Sequence, residues 1–164
     1  MSRTGLEILH DGLPDLLRRL AAVAAQDVLV GVPSDGAPRN ESGAPSNAEI
    51  GYQNEFGSPA QNIPARPHLY PGIEKCQART TKQLAKAARA AAEGRLSQVA
   101  TALHAAGLIA QASVRNEITS GAYAPLSART LAERQARGRT GTKPLVDTGQ
   151  YRNSITYVVR DGKS

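Results

Sequence analysis

Hydrophobic residues recur every three or four positions along several stretches of the chain, the spacing of a helix with one buried face. One such stretch covers residues 14–26 and a second covers residues 47–56. A third runs from residue 71 to residue 118 and is interrupted only near Gly94. A short break between two long helices predicts an antiparallel helical hairpin.

Three shorter runs are rich in β-branched and aliphatic residues and are bounded by turn-forming residues, which is typical of strands. They cover residues 5–10, 28–32 and 155–159. The pattern predicts one α+β domain over residues 1–164, with a long antiparallel helical hairpin packed on a small antiparallel sheet and with long extended loops.

Three segments have no helical or strand periodicity. Residues 33–46 are rich in Gly, Pro, Ser and Asn and are predicted to form a flexible loop. Residues 58–71 contain four prolines, so an extended segment is predicted there, with helix resuming at Pro71. Residues 137–144 are predicted to form a flexible basic loop.

Side chains that cap helices stand at three places in the sequence. Ser46 with Glu49 has the spacing of a capping box in front of the helix at residues 47–56. Ser127 precedes a short predicted helix over residues 128–136. Asp147 with Gln150 fits a cap for a helix of one or two turns.

The net charge of +6 is distributed unevenly. Residues 1–74 hold five basic and nine acidic side chains, whereas residues 75–164 hold fifteen basic and five acidic ones. Three interpretations follow: solvated basic helix faces, contact with a polyanion such as DNA, or acidic and basic halves of neighbouring subunits meeting head to tail in a ring.

Few residues suggest catalysis. The single cysteine, Cys76, excludes an internal disulfide and lies on the apolar stripe of a predicted helix, which favours burial. His10, His68 and His104 lie on separate elements without metal-ligand spacing. We therefore predict no catalytic residue, no metal and no cofactor, with a small hydrolase using Cys76 or a histidine as a minority hypothesis.

The composition also limits the kinds of partner that the chain is expected to bind. The chain has no apolar run long enough to span a membrane, and no secretory signal is predicted. Only six residues are aromatic, which argues against a surface that stacks on bases. A non-specific DNA-binding protein acting through its basic C-terminal half remains the alternative function.

Four stretches in this order resemble a known family: residues 47–57 (NAEIGYQNEFG), 62–72 (NIPARPHLYPG), 123–130 (YAPLSART) and 143–159 (KPLVDTGQYRNSITYVV). Together they resemble the small neck or tail-completion proteins of tailed bacteriophages, which include virion-morphogenesis and tail-component proteins. Tyr123 stands where a tryptophan is expected, and residues 68–70 replace a more apolar triplet.

The resemblance implies a non-enzymatic virion protein, assembled in the host bacterial cytoplasm, that forms a ring at the head–tail junction. A hexamer is favoured and a dodecamer is the other option. The implied partners are the connector or head-closure protein and the tail-tube or tail-terminator protein, with packaged DNA in the lumen.

Candidate site residues follow from this ring hypothesis. The predicted subunit-interface residues are Phe56, Arg66, His68, Tyr70 and Tyr151. The basic loop would face DNA in the lumen through Arg137, Arg139 and Lys143, although a solvated loop explains these charges equally well.

Overall fold

A computed structural model describes residues 12–34 and 45–162. Within these residues the fold is α+β, with six helices and a small antiparallel sheet. In chain order the elements are α1 (Leu13–Ala24), β1 (Gln26–Gly31), α2 (Asn47–Phe56), α3 (Leu69–Ala92), α4 (Leu96–Ser120), α5 (Ala128–Ala136), α6 (Gln150–Ser154) and β2 (Thr156–Asp161). The strand predicted at residues 5–10 and most of the loop predicted at residues 33–46 lie outside the described residues.

The two long helices α3 and α4 pack side by side, as the sequence predicts. They contain 24 and 25 residues and are joined at Gly94, whose φ of 75° is a conformation that favours glycine. At the joined end Ala87 and Ala91 of α3 pack with Leu103 of α4. At the other end Gly72 lies against Val114, so the helices run antiparallel.

Helix α3 begins at Leu69, two residues before the predicted start at Pro71. The prediction placed Pro71 at the first helical position. A proline is also tolerated elsewhere in the first turn, because N–H groups there have no acceptor within the helix, so no hydrogen bond is lost. The preceding segment contains a 3-10 turn at Pro59–Gln61 and an isolated antiparallel bridge between Ser58 and Ile63.

Helix α1 and the sheet cover the joined end of the helix pair. Leu20 and Val23 of α1, together with Val28 of β1 and Val159 of β2, pack against the alanine-rich cluster between α3 and α4. No residue of α1 is buried, and Leu17 remains 57% exposed. This helix therefore presents apolar surface to solvent.

The sheet is formed by β1 and β2, which pair antiparallel with Val28 opposite Val159 and Leu29 opposite Val158. Side chains alternate between its two faces. Val28 and Val159 are partly buried towards the helices, whereas Leu29 and Val158 are exposed on the outer face. Both strands lie close to the positions that the sequence predicts.

A second core cluster lies at the open end of the long helices. It is formed by Val114 and Ile118 of α4 with Tyr151 of α6 and the adjacent Ile155. Ile50 of α2 and Leu69 of α3 pack against it. This cluster brings together three of the four stretches that carry the family resemblance, namely residues 47–57, 62–72 and 143–159.

None of the helices in the described part of the chain is long and apolar enough to cross a lipid bilayer.

Candidate functional site

Helix α2 is fixed at its start by the capping box that the sequence predicts. The Ser46 N–H donates to Oε2 of Glu49 at 2.7 Å, and the Glu49 N–H donates to Oγ of Ser46 at 3.2 Å. Hydrogen bonding of the Glu49 carboxylate to the backbone N–H of Ser46, and secondly to its side chain, holds the pKa of Glu49 below its ordinary value. The helix ends at Gly57, whose φ of 75° lets the chain turn sharply into the proline-rich segment.

Near its C-terminal end α2 provides the cap for a different helix. The Glu55 carboxylate accepts the backbone N–H groups of His68 at 2.8 Å, Leu69 at 2.9 Å and Tyr70 at 3.1 Å. The next residue, Pro71, has no N–H. The free donors at the start of α3 are therefore satisfied by one side chain from a neighbouring helix.

Two opposing effects act on the pKa of Glu55. Burial is the larger single effect and by itself would raise the pKa of this carboxyl group. The three backbone N–H donors and the nearby His68 favour the ionised form, and together they hold the pKa below its ordinary value. Glu55 therefore acts as a carboxylate anion at the positive end of α3.

His68 is fully buried beside this carboxylate. Its Nδ1 lies 2.9 Å from the carbonyl oxygen of Arg66 and 3.2 Å from Oε2 of Glu55. Because both neighbours are acceptors, Nδ1 carries a hydrogen. The other ring nitrogen, Nε2, is hydrogen-bonded to the hydroxyl of Tyr151. Burial raises the pKa of Tyr151, and the Glu55 charge adds to this effect.

Arg66 connects the proline-rich segment to the chain that follows α4. Its Nε donates to the carbonyl of Ala124 at 2.9 Å, and its Nη2 donates to that of Pro125 at 3.0 Å. Burial lowers the pKa of this guanidinium group. Tyr123 anchors the same stretch, because its hydroxyl donates to the Glu117 carbonyl near the end of α4 at 2.7 Å.

We call Glu55, Arg66, His68 and Tyr151 the polar junction. Each of the four stretches that carry the family resemblance contributes to it, either by a side chain or, for residues 123–130, by backbone carbonyls. The distinctive residues of those stretches therefore meet in one hydrogen-bonded network that sets the relative positions of α2, α3 and α6.

This network corrects part of the predicted subunit interface. Arg66, His68 and Tyr151 were predicted to contact a neighbouring subunit, but they are 7%, 0% and 6% exposed and bond to groups of the same chain. The ring hypothesis placed them against a neighbouring subunit, whereas hydrogen-bond partners supplied by distant segments of the same chain allow these polar side chains to be buried. The structure places them in the interior of the chain.

The remaining two predicted interface residues lie on the surface. Phe56 and Tyr70 are 67% and 72% exposed, and Tyr52 beside them is 68% exposed. The rings of Tyr52 and Phe56 lie 4.9 Å apart between centroids. The backbone N–H of Tyr70 is bonded to the carboxylate of Glu55, the residue before Phe56, so the chain at Tyr70 lies close to the end of α2. We call Tyr52, Phe56 and Tyr70 the aromatic patch.

An open groove of about 850 Å³ begins at Phe56 and lies between the proline-rich segment and the start of α5. Pro59, Pro64, Pro125 and Leu126 contribute to its walls. Phe56 therefore belongs both to the aromatic patch and to the wall of the groove.

The predicted cap at Asp147 is wrong. Helix α6 begins after Gly149, and the Gln150 N–H donates to the Thr148 hydroxyl at 3.3 Å. The Asp147 carboxylate is instead 2.6 Å from Nη1 of Arg139 and 3.6 Å from Nε of Arg134. These partners lie 8 and 13 residues away in the sequence, so tertiary ion pairs replace the local cap.

The basic loop is attached to the body of the chain through Arg134. Its Nη1 donates to the carbonyls of Gly141, Lys143 and Val146, at 2.8, 3.1 and 3.1 Å. Of the three predicted DNA contacts in this loop, Arg139 is paired with Asp147, whereas Arg137 and Lys143 are exposed. The charge that this loop can offer to a polyanion is therefore reduced.

The side chains considered for catalysis lie apart. Cys76 is buried, and its thiol donates to the carbonyl of Ile73 at 3.1 Å. His104 is exposed on α4 with the Tyr157 hydroxyl 3.2 Å from its Nδ1. Among residues 12–34 and 45–162, no group of three or more metal-ligating side chains comes together.

Sequence reasoning missed two residues of this region. Tyr52 could have been found from its position four residues before Phe56, which places both rings on one face of α2. Glu55 gives no local signal, because the helix that it caps begins 14 residues later. Compared with protein families, curated proteins and solved structures, the chain matches none of them.

Proposed function

We propose that the chain is a non-enzymatic structural subunit of the virion of a tailed bacteriophage. Copies form a ring at the head–tail junction and join the connector or head-closure protein to the tail-tube or tail-terminator protein. The observation that carries this proposal is the exposure of Tyr52, Phe56 and Tyr70, half of the six aromatic residues of the chain.

Exposed aromatic clusters of this kind are a feature of protein interfaces. Aromatic side chains supply much of the binding energy at such interfaces, and grouped exposed apolar residues mark contact sites. The polar junction supports the same role, because Glu55 and His68 hold α2 and the start of α3 in a fixed relation. A patch that is already ordered loses little entropy on docking.

A second copy of this chain is the occupant that we assign to the aromatic patch. The patch lies in the acidic part of the sequence, residues 1–74, whereas residues 75–164 carry a large excess of basic groups. Contact between different surfaces of neighbouring copies, repeated by rotation, produces a closed ring. Opposite charges on the two surfaces favour this head-to-tail arrangement over a two-fold dimer. We assign the ring six copies.

The test measures assembly with matched surface variants. Phe56→Ser with Tyr70→Ser removes two exposed rings, and Leu96→Ser with Leu108→Ser removes two exposed leucines elsewhere. Light scattering and native mass spectrometry over a range of concentrations should show a sixfold mass for the unchanged chain and for the leucine variant. The aromatic variant should remain monomeric while keeping the circular dichroism spectrum of the unchanged chain.

A second measurement covers the case in which the ring forms only on the connector or head-closure protein and not in solution. Deleting the reading frame from the genome that encodes it should leave filled heads and tails unjoined in electron micrographs. The unchanged chain supplied from a plasmid should restore joined particles, whereas the folded aromatic variant should not. Normal particles without the chain, or full restoration by the aromatic variant, would overturn the proposal.

A further inference from the structure

Helix α3 carries a row of basic side chains along one face. Arg79, Lys82, Lys86 and Arg89 are spaced by three, four and three residues, so they lie on one side of the helix. All four are exposed. At about 1.5 Å per residue the row is about 15 Å long. We call these four residues the basic stripe.

The charges of the basic stripe are not neutralised by nearby carboxylates. Lys75, one turn before Arg79, is paired with Glu117 at 2.5 Å and is therefore not counted in the stripe. Within the part of the chain that the structure describes, none of the four stripe residues takes part in an ion pair. The basic loop differs in this respect, because its Arg139 is paired with Asp147.

The surroundings of the stripe indicate the chemistry of its partner. Ala78 and Ala85 lie beside it and are exposed, so the longer cationic groups reach furthest into solvent. Protein interfaces have apolar or aromatic anchors at their centre and few lysines there. A stripe of cations with small neighbours and without an aromatic ring fits a uniformly charged backbone better than a folded protein surface.

We propose that the basic stripe binds the phosphate backbone of duplex DNA without reading its sequence. Over about 15 Å a duplex carries about nine phosphate charges, at about one per 1.7 Å, which exceeds the four cations that face it. Lysine and arginine contacts to phosphate position a protein on DNA and carry no base information. This activity goes beyond the assembly role and does not require a ring.

The test compares variants that remove equal charge. Lys86→Gln with Arg89→Gln changes the stripe, and Arg137→Gln with Lys143→Gln changes the two exposed cations of the basic loop. Binding of a short labelled duplex of random sequence is followed by fluorescence anisotropy between about 50 and 200 mM NaCl. Each lost phosphate contact should reduce the salt dependence, the slope of log K against log salt, by about 0.9.

We expect the stripe variant to bind the duplex at least tenfold more weakly at the lowest salt, with a slope smaller by about 2. In the variant with Gln at all four stripe positions, the slope of log K against log salt should be smaller by about 3 to 4. In the loop variant the same slope should change by less than about 1. Binding should not depend on the sequence of the duplex. Thermal unfolding followed by circular dichroism should be the same for all variants.

Three results would overturn the proposal: no binding by the unchanged chain, equal effects of the stripe and loop variants, or competition by poly-glutamate as effective as competition by duplex at equal charge concentration. The last result would assign the stripe to an acidic polypeptide. Assembly is measured separately by light scattering on the same variants. A stripe variant that binds DNA as well as the unchanged chain counts against this proposal alone, whereas failure of the unchanged chain to form the ring, with DNA binding still lost in the stripe variant, counts against the ring alone.

Discussion

His68 and Tyr151 are hydrogen-bonded to each other in the interior of the chain, although 83 positions separate them in the sequence. Their rings are arranged edge to face, with centroids 5.4 Å apart. The hydroxyl of Tyr151 is the partner of Nε2, while Nδ1 faces the Arg66 carbonyl and Glu55. This single bond connects α6 to the start of α3.

Tyr151→Phe should therefore lower the free energy of unfolding by about 1–3 kcal/mol. The substitution keeps the ring and removes the hydroxyl, which leaves the Nε2 atom of a fully buried histidine without its partner. Because the chain has no tryptophan, urea unfolding is best followed by circular dichroism at 222 nm.

Tyr157→Phe provides the matched control. Tyr157 also contacts a histidine, with its hydroxyl 3.2 Å from Nδ1 of His104, but this histidine is exposed to solvent. Water replaces the lost partner there, so the change should stay below about 0.5 kcal/mol. Equal losses for the two variants would show that burial of His68 does not determine the effect.

The stability of the chain should depend on the ionisation of Glu55. Its pKa is held below the ordinary value of 4.5 in the folded chain and returns to it on unfolding. The carboxylate therefore stabilises the fold fully above pH 4.5, and this contribution is lost as the pH falls through the folded pKa. Glu55→Gln should lower the free energy of unfolding by about 1–2 kcal/mol at neutral pH.

The difference between the unchanged chain and Glu55→Gln should be constant from neutral pH to about pH 5.5 and should shrink below pH 4.5. Urea unfolding at a series of pH values measures it. Glu49→Gln is the comparison, since Glu49 caps α2 on the surface and its pKa is lowered in the same direction. The loss of unfolding free energy caused by Glu49→Gln should be smaller than the loss caused by Glu55→Gln. A larger loss for Glu49→Gln would contradict the capping role assigned to Glu55.

The features that the sequence predicted well depend on neighbouring residues. The capping box of Ser46 with Glu49 and the cap of Ser127 on α5 each connect residues three positions apart. The turn at Gly94 needs only a residue that adopts a positive φ. Such interactions are complete within one helical turn, so the pattern of residue types is enough to place them.

The features that the sequence did not predict depend on distant segments. Asp147 has the sequence spacing of a helix cap. In the folded chain, however, its carboxylate forms ion pairs with Arg134 and Arg139 instead. Arg66 and His68 were predicted to lie at a subunit interface, a prediction that followed from the ring hypothesis, but both are buried within the chain. Their burial requires the carbonyls of residues 124 and 125 and the hydroxyl of Tyr151, whose positions only the tertiary structure supplies.

Arg66→Ala should be strongly destabilising, by about 2–4 kcal/mol, because it removes two charge-assisted hydrogen bonds and a buried side chain. Thermal unfolding followed by circular dichroism measures the loss. Arg137→Ala, at an exposed position, should change stability by less than about 0.5 kcal/mol. A loss for Arg66→Ala no larger than that of the control would mean that its carbonyl partners find other donors at little cost.

Gly72→Ala tests the close approach of the two long helices. A Cβ atom at Gly72 would lie 2.7 Å from the Cα of Val114, a backbone atom that cannot move without shifting α4. Alanine is favoured over glycine by about 1 kcal/mol inside a helix, whereas overpacking a core costs about 1–3 kcal/mol. Because the clash is with the backbone, the cost should lie in the upper part of this range, and we expect a net loss of about 1–2 kcal/mol in the free energy of unfolding, measured with urea.

The control is Gly31→Ala, where the added Cβ meets no atom within 4 Å, and it should be close to neutral. The double variant Gly72→Ala with Val114→Ala should not recover stability, because the contact is with the Val114 backbone and the shortened side chain leaves a cavity. Recovery in the double variant would mean that only the Val114 side chain limits the approach. Full tolerance of Gly72→Ala alone would show that α3 and α4 can separate at this end without cost.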